Sequence, residues 1–359
     1  VSRPKVAAVA QAFKEAFTAA EVAAVYENAI EAAGGEAHVV VASDGGDGFL
    51  DALAPVLMRW TAHPASDPLR RPLGGVRVGW LDATSAVIES RLVCGLGLLA
   101  SDERDPLITS TRGLGQLIAE VVAAGARTVF VGLGGSATMD GGLGMARAWG
   151  WVPRDAEGRE LGEGGGALAN LATLEAPRRP AAEILGVSDV ANPLLGARGA
   201  RVFAAQKGAS PADTERLAAG LQRLAAVTGQ DGPLGLAGRP GAGAAGGLGF
   251  GLLHFAEGRL EAGSSWVLDR VGFDAALDGA AVLLVGEGAF DRTSLEGKLA
   301  GVALSRAAER GVRAALVSPT ADHVPDGVVT EVGGGRWTAE ELARRVEGAV
   351  RRALRLLGS

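Results

Sequence analysis

Residues 129–142, VFVGLGGSATMDGG, restrict the architectures open to this chain more than any other stretch. The run from Thr128 to Val131 is β-branched, aromatic and uncharged, the pattern of a strand buried on both faces. Gly132 ends it, and the small residues Gly134, Gly135, Ser136, Ala137 and Thr138 allow backbone N–H groups to crowd around a ligand. Asp140 is placed to cap a helix whose apolar positions are Leu143, Met145, Ala146 and Trp149. A strand, a glycine turn and a helix N-terminus in succession belong to an α/β protein, and unpaired N–H groups with a helix dipole favour phosphate. A plain tight turn would use the same glycines, because glycine supplies positive φ wherever the backbone doubles back.

A chain of 359 residues suits two domains better than one. Continuous apolar runs at 5–10, 38–42, 129–131, 281–285 and 314–317 alternate with helical periodicity, which predicts one doubly wound parallel sheet. Residues 68–99 instead alternate apolar and polar, the mark of antiparallel strands; Glu89 on the last of them reads as an outward-facing strand charge. The expected division is therefore a parallel-sheet domain from 1–67, 112–150 and 270–359, and a second α/β domain from 68–111 and 151–269. The ligand cleft is expected between them. Pro211 opens a helix to 227, and another runs from 338 to 357.

Net charge is −6 and only 4% of residues are aromatic, with no concentrated basic face, which argues against nucleic acid. The single cysteine, Cys94, excludes internal disulfides and fits a reducing compartment. No uncharged run reaches the roughly 20 residues of a membrane span, and no signal-peptide core opens the sequence. A cytoplasmic protein with no membrane partner is expected. Only four lysines occur, Lys5, Lys14, Lys207 and Lys298, and the last three sit in motif-like stretches, where a compact point charge does what arginine does not.

Asp44 and Asp47 flank Gly45 and Gly46; carboxylates beside an open backbone suit Mg²⁺ or a polyhydroxyl ligand, and equally a helix cap with a turn. Asp189, Asn192 and Lys207 follow a strand near 184–187 and could converge. Two segments imitate dinucleotide fingerprints. Residues 241–246 fit G-x-G-x-x-G without a preceding strand, and 132–137 fit G-x-G-x-x-A but are separated from their helix by Thr138, Met139 and Asp140. A nicotinamide-dependent oxidoreductase is thus the weakest reading. A P-loop is absent, because Leu299 follows Gly297–Lys298 and Arg occupies position 292. Acid–glycine loops with isolated lysines suit phosphoryl transfer, in which positioning and charge neutralisation do most of the work.

At these motifs the chain resembles the class I glycerate kinase family, in AFKEAFTAAEVA (12–23), DGGDGFLDAL (44–53), GLGGSATMDGGLGMARAWG (132–150), SDVANPLLGARGARVFAAQKGA (188–209), PGAGAAGGLGFGL (240–252) and GEGAFDRTSLEGK (286–298). The six are collinear and span nearly the whole chain. The resemblance implies an α/β fold, a doubly wound Rossmann/flavodoxin-like parallel sheet domain with a second inserted α/β domain. It also implies ATP-dependent, Mg²⁺-assisted phosphorylation of D-glycerate, at the 2-hydroxyl, or of a related small hydroxy acid. Lys14, Asp189 and Lys207 would be catalytic. Asp44, Gly45, Gly46, Gly134, Gly135, Ser136, Thr138, Asp140, Asn192, Gln206, Glu287, Asp291 and Lys298 would bind nucleotide or substrate, with Asp189 or Asp291 on Mg²⁺. A small-molecule substrate and a second copy of the chain in a homodimer are the expected partners. The chain departs from the family pattern at Gln11, Ala12, Glu15, Met139 and Ala289, where a carboxylate, a hydroxyl, a glycine, an amide and an arginine are usual. An altered acceptor, or a catalytically weak or inactive paralogue with a regulatory, ligand-binding role, is the alternative these positions suggest.

Overall fold

The computed structural model describes residues 2–13, 16–177, 179–232 and 234–357. Its strands, in chain order, are β1 (Lys5–Ala10), β2 (Glu36–Val41), β3 (Arg59–Ser66), β4 (Pro72–Trp80), β5 (Ser85–Glu89), β6 (Thr128–Gly132), β7 (Val152–Arg154), β8 (Thr173–Glu175), β9 (Glu183–Val187), β10 (Arg259–Glu261), β11 (Val282–Gly286), β12 (Arg313–Ser318) and β13 (Val329–Val332). The chain divides into two compact units, one of Val1–Asp44, Asp51–Val56 and Ala262–Ser359, the other of Gly45–Leu50 and Leu57–Glu261.

The first unit holds an all-parallel sheet in the order β13-β12-β11-β1-β2. The chain steps to one side of β1 for β2 and to the other for β11 to β13, the flavodoxin-like winding with its switch point between β1 and β11. Alternation decides the faces. Val6, Ala8, Ala10, Val282, Leu284, Ala315 and Val317 share a core with the apolar stripes of the helices Ala19–Ala32 and Ala339–Arg355. Both helices begin where the sequence allows a reciprocal cap, Thr18 with Glu21 and Thr338 with Glu341.

The second unit, inserted between β2 and β11, holds a mixed sheet in the order β10-β9-β6-β5-β4-β3. Strands β3, β4 and β5 pair antiparallel, whereas β5, β6, β9 and β10 pair parallel. The helix Arg112–Ala123 covers this sheet with Leu114, Leu117, Ile118 and Val121. A second core gathers Leu217, Leu221 and Leu224 of the helix Pro211–Val227 with Met139, Leu143, Trp151 and Phe250.

This arrangement corrects the expected division. Strand β6 belongs to the inserted unit, between β5 and β9, and not to the sheet of β1. Its composition announces burial on both faces, but any parallel neighbour would satisfy that demand. Residues 112–150, and the stretch 57–67 ahead of them, move with it into the second unit. The segment Val329–Val332, unassigned in the sequence, adds β13 to the edge of the first sheet.

Candidate active site

In the second unit Glu89, Gly132 and Val187 stand side by side in register at the carboxyl ends of β5, β6 and β9. Ligands of open α/β sheets lie beyond such ends. The segment 45–50 packs directly on the loops that leave them. A Cβ at Gly45 would lie 2.3 Å from the Val187 carbonyl oxygen, and one at Gly134 would lie 2.5 Å from the Gly46 Cα, so both contacts require glycine. Asp47, the carboxylate after this pair, lies 3.7 Å from the Arg91 Nε.

Glu89 is 1% exposed, not outward-facing as its strand pattern suggested. Its carboxylate accepts from the backbone N–H groups of Gly48 and Leu50 at 3.0 and 3.3 Å and from the Arg91 Nε at 2.5 Å. Period-two alternation at the last residue of β5 fails because the next segment closes over the strand end. Glu89 and Arg91 are the two residues of this edge that the motifs did not single out. The signal available was an acid on an otherwise apolar strand, one residue short of a helical turn.

The loop after β6 is stitched from one side. Leu96 N–H donates to the Gly135 carbonyl at 2.9 Å, and Ala137 N–H donates to the Cys94 carbonyl at 2.7 Å. Lys207 Nζ donates to the Ser136 carbonyl and, at 2.6 Å, to the Ser136 Oγ. Among the described residues nothing accepts from the N–H groups of Gly134, Gly135 or Ser136. These are three consecutive unengaged donors, with Gly135 at φ +60°, the kind of backbone group that an anion can use.

The helix that follows, Leu143–Ala148, contributes less than expected. Its N-cap is Gly142, and the anion at its start is Asp140 itself, 1% exposed. That carboxylate accepts from Thr111 N–H and Oγ1 at 2.8 and 2.9 Å and from the N–H groups of Gly142 and Gly144 at 3.1 Å. Burial holds its pKa above the usual carboxylate range, against these hydrogen bonds. Met139 is also turned inward, 0% exposed in the core with Leu143 and Leu168, so this departure from the family pattern removes no polar group from a ligand surface. Thr138 is buried, and its Oγ1 has no hydrogen-bond partner. Gly246, which ends the G-x-G-x-x-G-like stretch, and Gly247 after it serve close packing. A Cβ at Gly246 would come within 1.9 Å of the Thr138 carbonyl oxygen.

Lys207 is 2% exposed, so its ammonium touches the Ser136 loop and not solvent. Burial pushes its pKa down from 10.5 to about 7, while the neighbouring Cys94 and Asp140 act in the opposite direction. Gln206 is exposed beside it. Asp189 lies half-buried in the loop after β9; Asn192 Nδ2 donates to the Arg198 carbonyl at 2.6 Å and closes the turn 192–198.

The first unit brings a separate group together. Gln11, following β1, donates from Nε2 to the Gly286 carbonyl at 2.9 Å, across the switch point of the sheet. Glu287 comes next on β11's side. Burial raises its pKa, Ser294 and Lys298 oppose this, and the charges of Asp291 and Asp44 add to it. Its Oε2 is buried with no hydrogen-bond partner. Asp291 Oδ1 accepts from Thr293 N–H, Thr293 Oγ1 and Ser294 N–H, and the Thr293 hydrogen bond keeps its pKa low. Lys298 Nζ donates to Thr293 Oγ1 at 2.6 Å. Lys14 and Glu15 lie outside the described residues. Among the described residues no three His, Cys, Asp or Glu are grouped to hold a metal by themselves, and no helix is long and apolar enough to cross a membrane.

Known proteins supply the context for this geometry. The model of the glycerate kinase family matches residues 6–356. The chain is 35% identical over 308 residues to a protein named glycerate kinase in Bacillus subtilis, covering 82% of this chain and 79% of that one. It is 35% identical over 306 residues to the glycerate 2-kinase of Escherichia coli K12, covering 82% and 80%. A crystal structure assigned as glycerate kinase 2 from Salmonella typhimurium LT2 superimposes with a TM-score of 0.78 at 31% identity, covering 99% of both chains. With a match along nearly its entire length and these relatives, the chain belongs to the glycerate kinase family and is a kinase.

Proposed function

We propose that this kinase transfers the γ-phosphoryl group of ATP to the 2-hydroxyl of D-glycerate, or of a closely related small hydroxy acid. The observation that carries the reading is the run of unengaged N–H groups at Gly134, Gly135 and Ser136, at the carboxyl end of β6 in a chain of this family. The 2-hydroxyl follows the name of the Escherichia coli relative, glycerate 2-kinase. In this reading the three N–H groups take phosphoryl oxygens, with Gly45 and Gly46 setting their surface. Gln206 and Asn192 border the acceptor, while Lys14 and Lys298 are the cations that the family resemblance offers for charge neutralisation. Asp189 accepts the hydroxyl proton as that oxygen bonds to the γ-phosphorus and the bond to the departing ADP oxygen breaks.

Mg²⁺ in such reactions is held by one or two carboxylates and the nucleotide phosphates, and when bound neutralises the phosphate charge. Glu287 fits such an ion better than Asp291, because its Oε2 lacks a partner whereas Asp291 Oδ1 is occupied by Thr293 and Ser294. Asp44 lies in the same charged group, and Asp189 remains the carboxylate for the second unit. ATP use fits a cytoplasmic enzyme, and a homodimer would show as twice the chain mass in light scattering.

The decisive assay couples product to enolase without a mutase. Absorbance from phosphoenolpyruvate with D-glycerate and ATP·Mg²⁺ is expected, since only 2-phosphoglycerate feeds enolase directly. ADP release without that signal would move transfer to another hydroxyl. No ADP release with any small hydroxy acid would favour the ligand-binding paralogue, a reading that retains Gln11, Ala12 and Ala289 as support but loses Met139 to the core.

A further inference from the structure

Lys207 is unusual among the candidate residues because it is enclosed. It forms no ion pair among the described residues, and the buried Asp140 carboxylate is engaged by Thr111, Gly142 and Gly144. A buried ammonium of this kind costs stability unless its donors are used well, so its partners identify its task. Those partners are the carbonyl and hydroxyl of a single residue, Ser136. We propose that Lys207 is a positioning residue for phosphoryl binding: its ammonium clamps Ser136 so that the N–H groups of Gly134, Gly135 and Ser136 are presented to an anion. The proposal rests on the phosphate reading of this loop.

The geometry of the peptide makes the clamp effective. A trans peptide places C=O and N–H on opposite sides. Leu96 holds the Gly135 carbonyl, which turns the Ser136 N–H the other way. Lys207 holds the next carbonyl and, with Cys94 accepting from Ala137, fixes the following peptide plane. The backbone beneath Lys207 is itself pinned, because Gly208 has φ +100° and a Cβ there would meet the Arg104 carbonyl oxygen at 2.1 Å. The ammonium also puts a positive charge against Ser136, and in a dry surrounding that charge acts strongly on a nearby anion. The titratable groups facing it are Cys94 and Asp140. Burial keeps the Cys94 thiol neutral, so the pH response near neutrality belongs to Lys207.

The test compares the full-length wild type with Lys207→Met, Lys207→Arg and Ser136→Ala. Calorimetry with inorganic pyrophosphate and with ATP·Mg²⁺ from pH 6 to 9 is combined with hydrogen exchange of residues 133–137. Lys207→Met, which reports the titration of the probes themselves, should bind at least about tenfold more weakly than the wild type below pH 7, and that difference should shrink as pH rises through about 7. Exchange at 133–137 should quicken in Lys207→Met and be partly restored by Lys207→Arg. If Lys207→Met does not fold, Ser136→Ala, which loses only the hydroxyl contact, should show a smaller loss of affinity and faster exchange. Unchanged exchange and affinity in the variants, with a wild type that binds both probes, would overturn the clamp alone. A wild type that binds neither probe would overturn the phosphate reading and this proposal with it.

Discussion

Replacing Glu89 by Gln probes the carboxyl edge of the second sheet without changing its volume. The carboxylate takes three donors, the N–H groups of Gly48 and Leu50 and the Arg91 Nε, while only 1% exposed. An amide oxygen in the Oε1 place keeps Gly48 and Arg91 as neutral-acceptor bonds, and the amide NH₂ then faces the Leu50 N–H donor. Each net hydrogen bond to a charged group contributes about 1.5–3 kcal/mol, and such losses add incompletely, so Glu89→Gln should cost about 2–5 kcal/mol. For a unit of this size each kcal/mol lowers Tm by about 2–4 °C, which gives a fall of roughly 4–20 °C. Calorimetry gives Tm, and hydrogen exchange should show residues 45–50 opening first. The double variant with Arg91→Ala should be less destabilised than the sum of the singles, because the two changes remove one shared contact. A Tm within about 2 °C of the wild type, or strict additivity in that cycle, would refute the role assigned to Glu89.

Three further outcomes are expected. Gly134→Ala forces a Cβ to 2.5 Å from the Gly46 Cα, an overlap of about 1 Å that costs about 1–3 kcal/mol and should lower kcat/KM at least tenfold, as seen by steady-state kinetics. Asp140→Asn turns an amide NH₂ toward backbone donors and should destabilise by about 1–3 kcal/mol in urea titration. Glu287 has a raised pKa, so a reaction that needs its carboxylate gains rate as pH rises through that value; Glu287→Gln should abolish this acid limb and raise the Mg²⁺ requirement, both read from initial rates.

Local chemistry determined much of this protein directly. Helix Pro211–Val227 is recognisable to the residue because Ser210, Pro211 and Asp213 are start signals that act within one turn. Strands β1, β9, β11 and β12 are legible because a continuous apolar run favours burial. The family pattern rests on motifs in matching order, which sequence alone preserves. Pairing between distant segments does not have a local cause. Strand β6 could have joined either parallel sheet, and its place between β5 and β9 is set by the register of their ends. Val329–Val332 becomes β13 only by hydrogen bonding to β12. The same limit governs the charged residues. Glu89, Asp140 and Lys207 carry side chains that belong at the surface by default. Tertiary structure buried all three by enclosing each with donors or acceptors from segments far away in the chain. What the loop 133–137 offers a ligand was decided there, because which N–H groups remain open depends on what holds the carbonyls behind them.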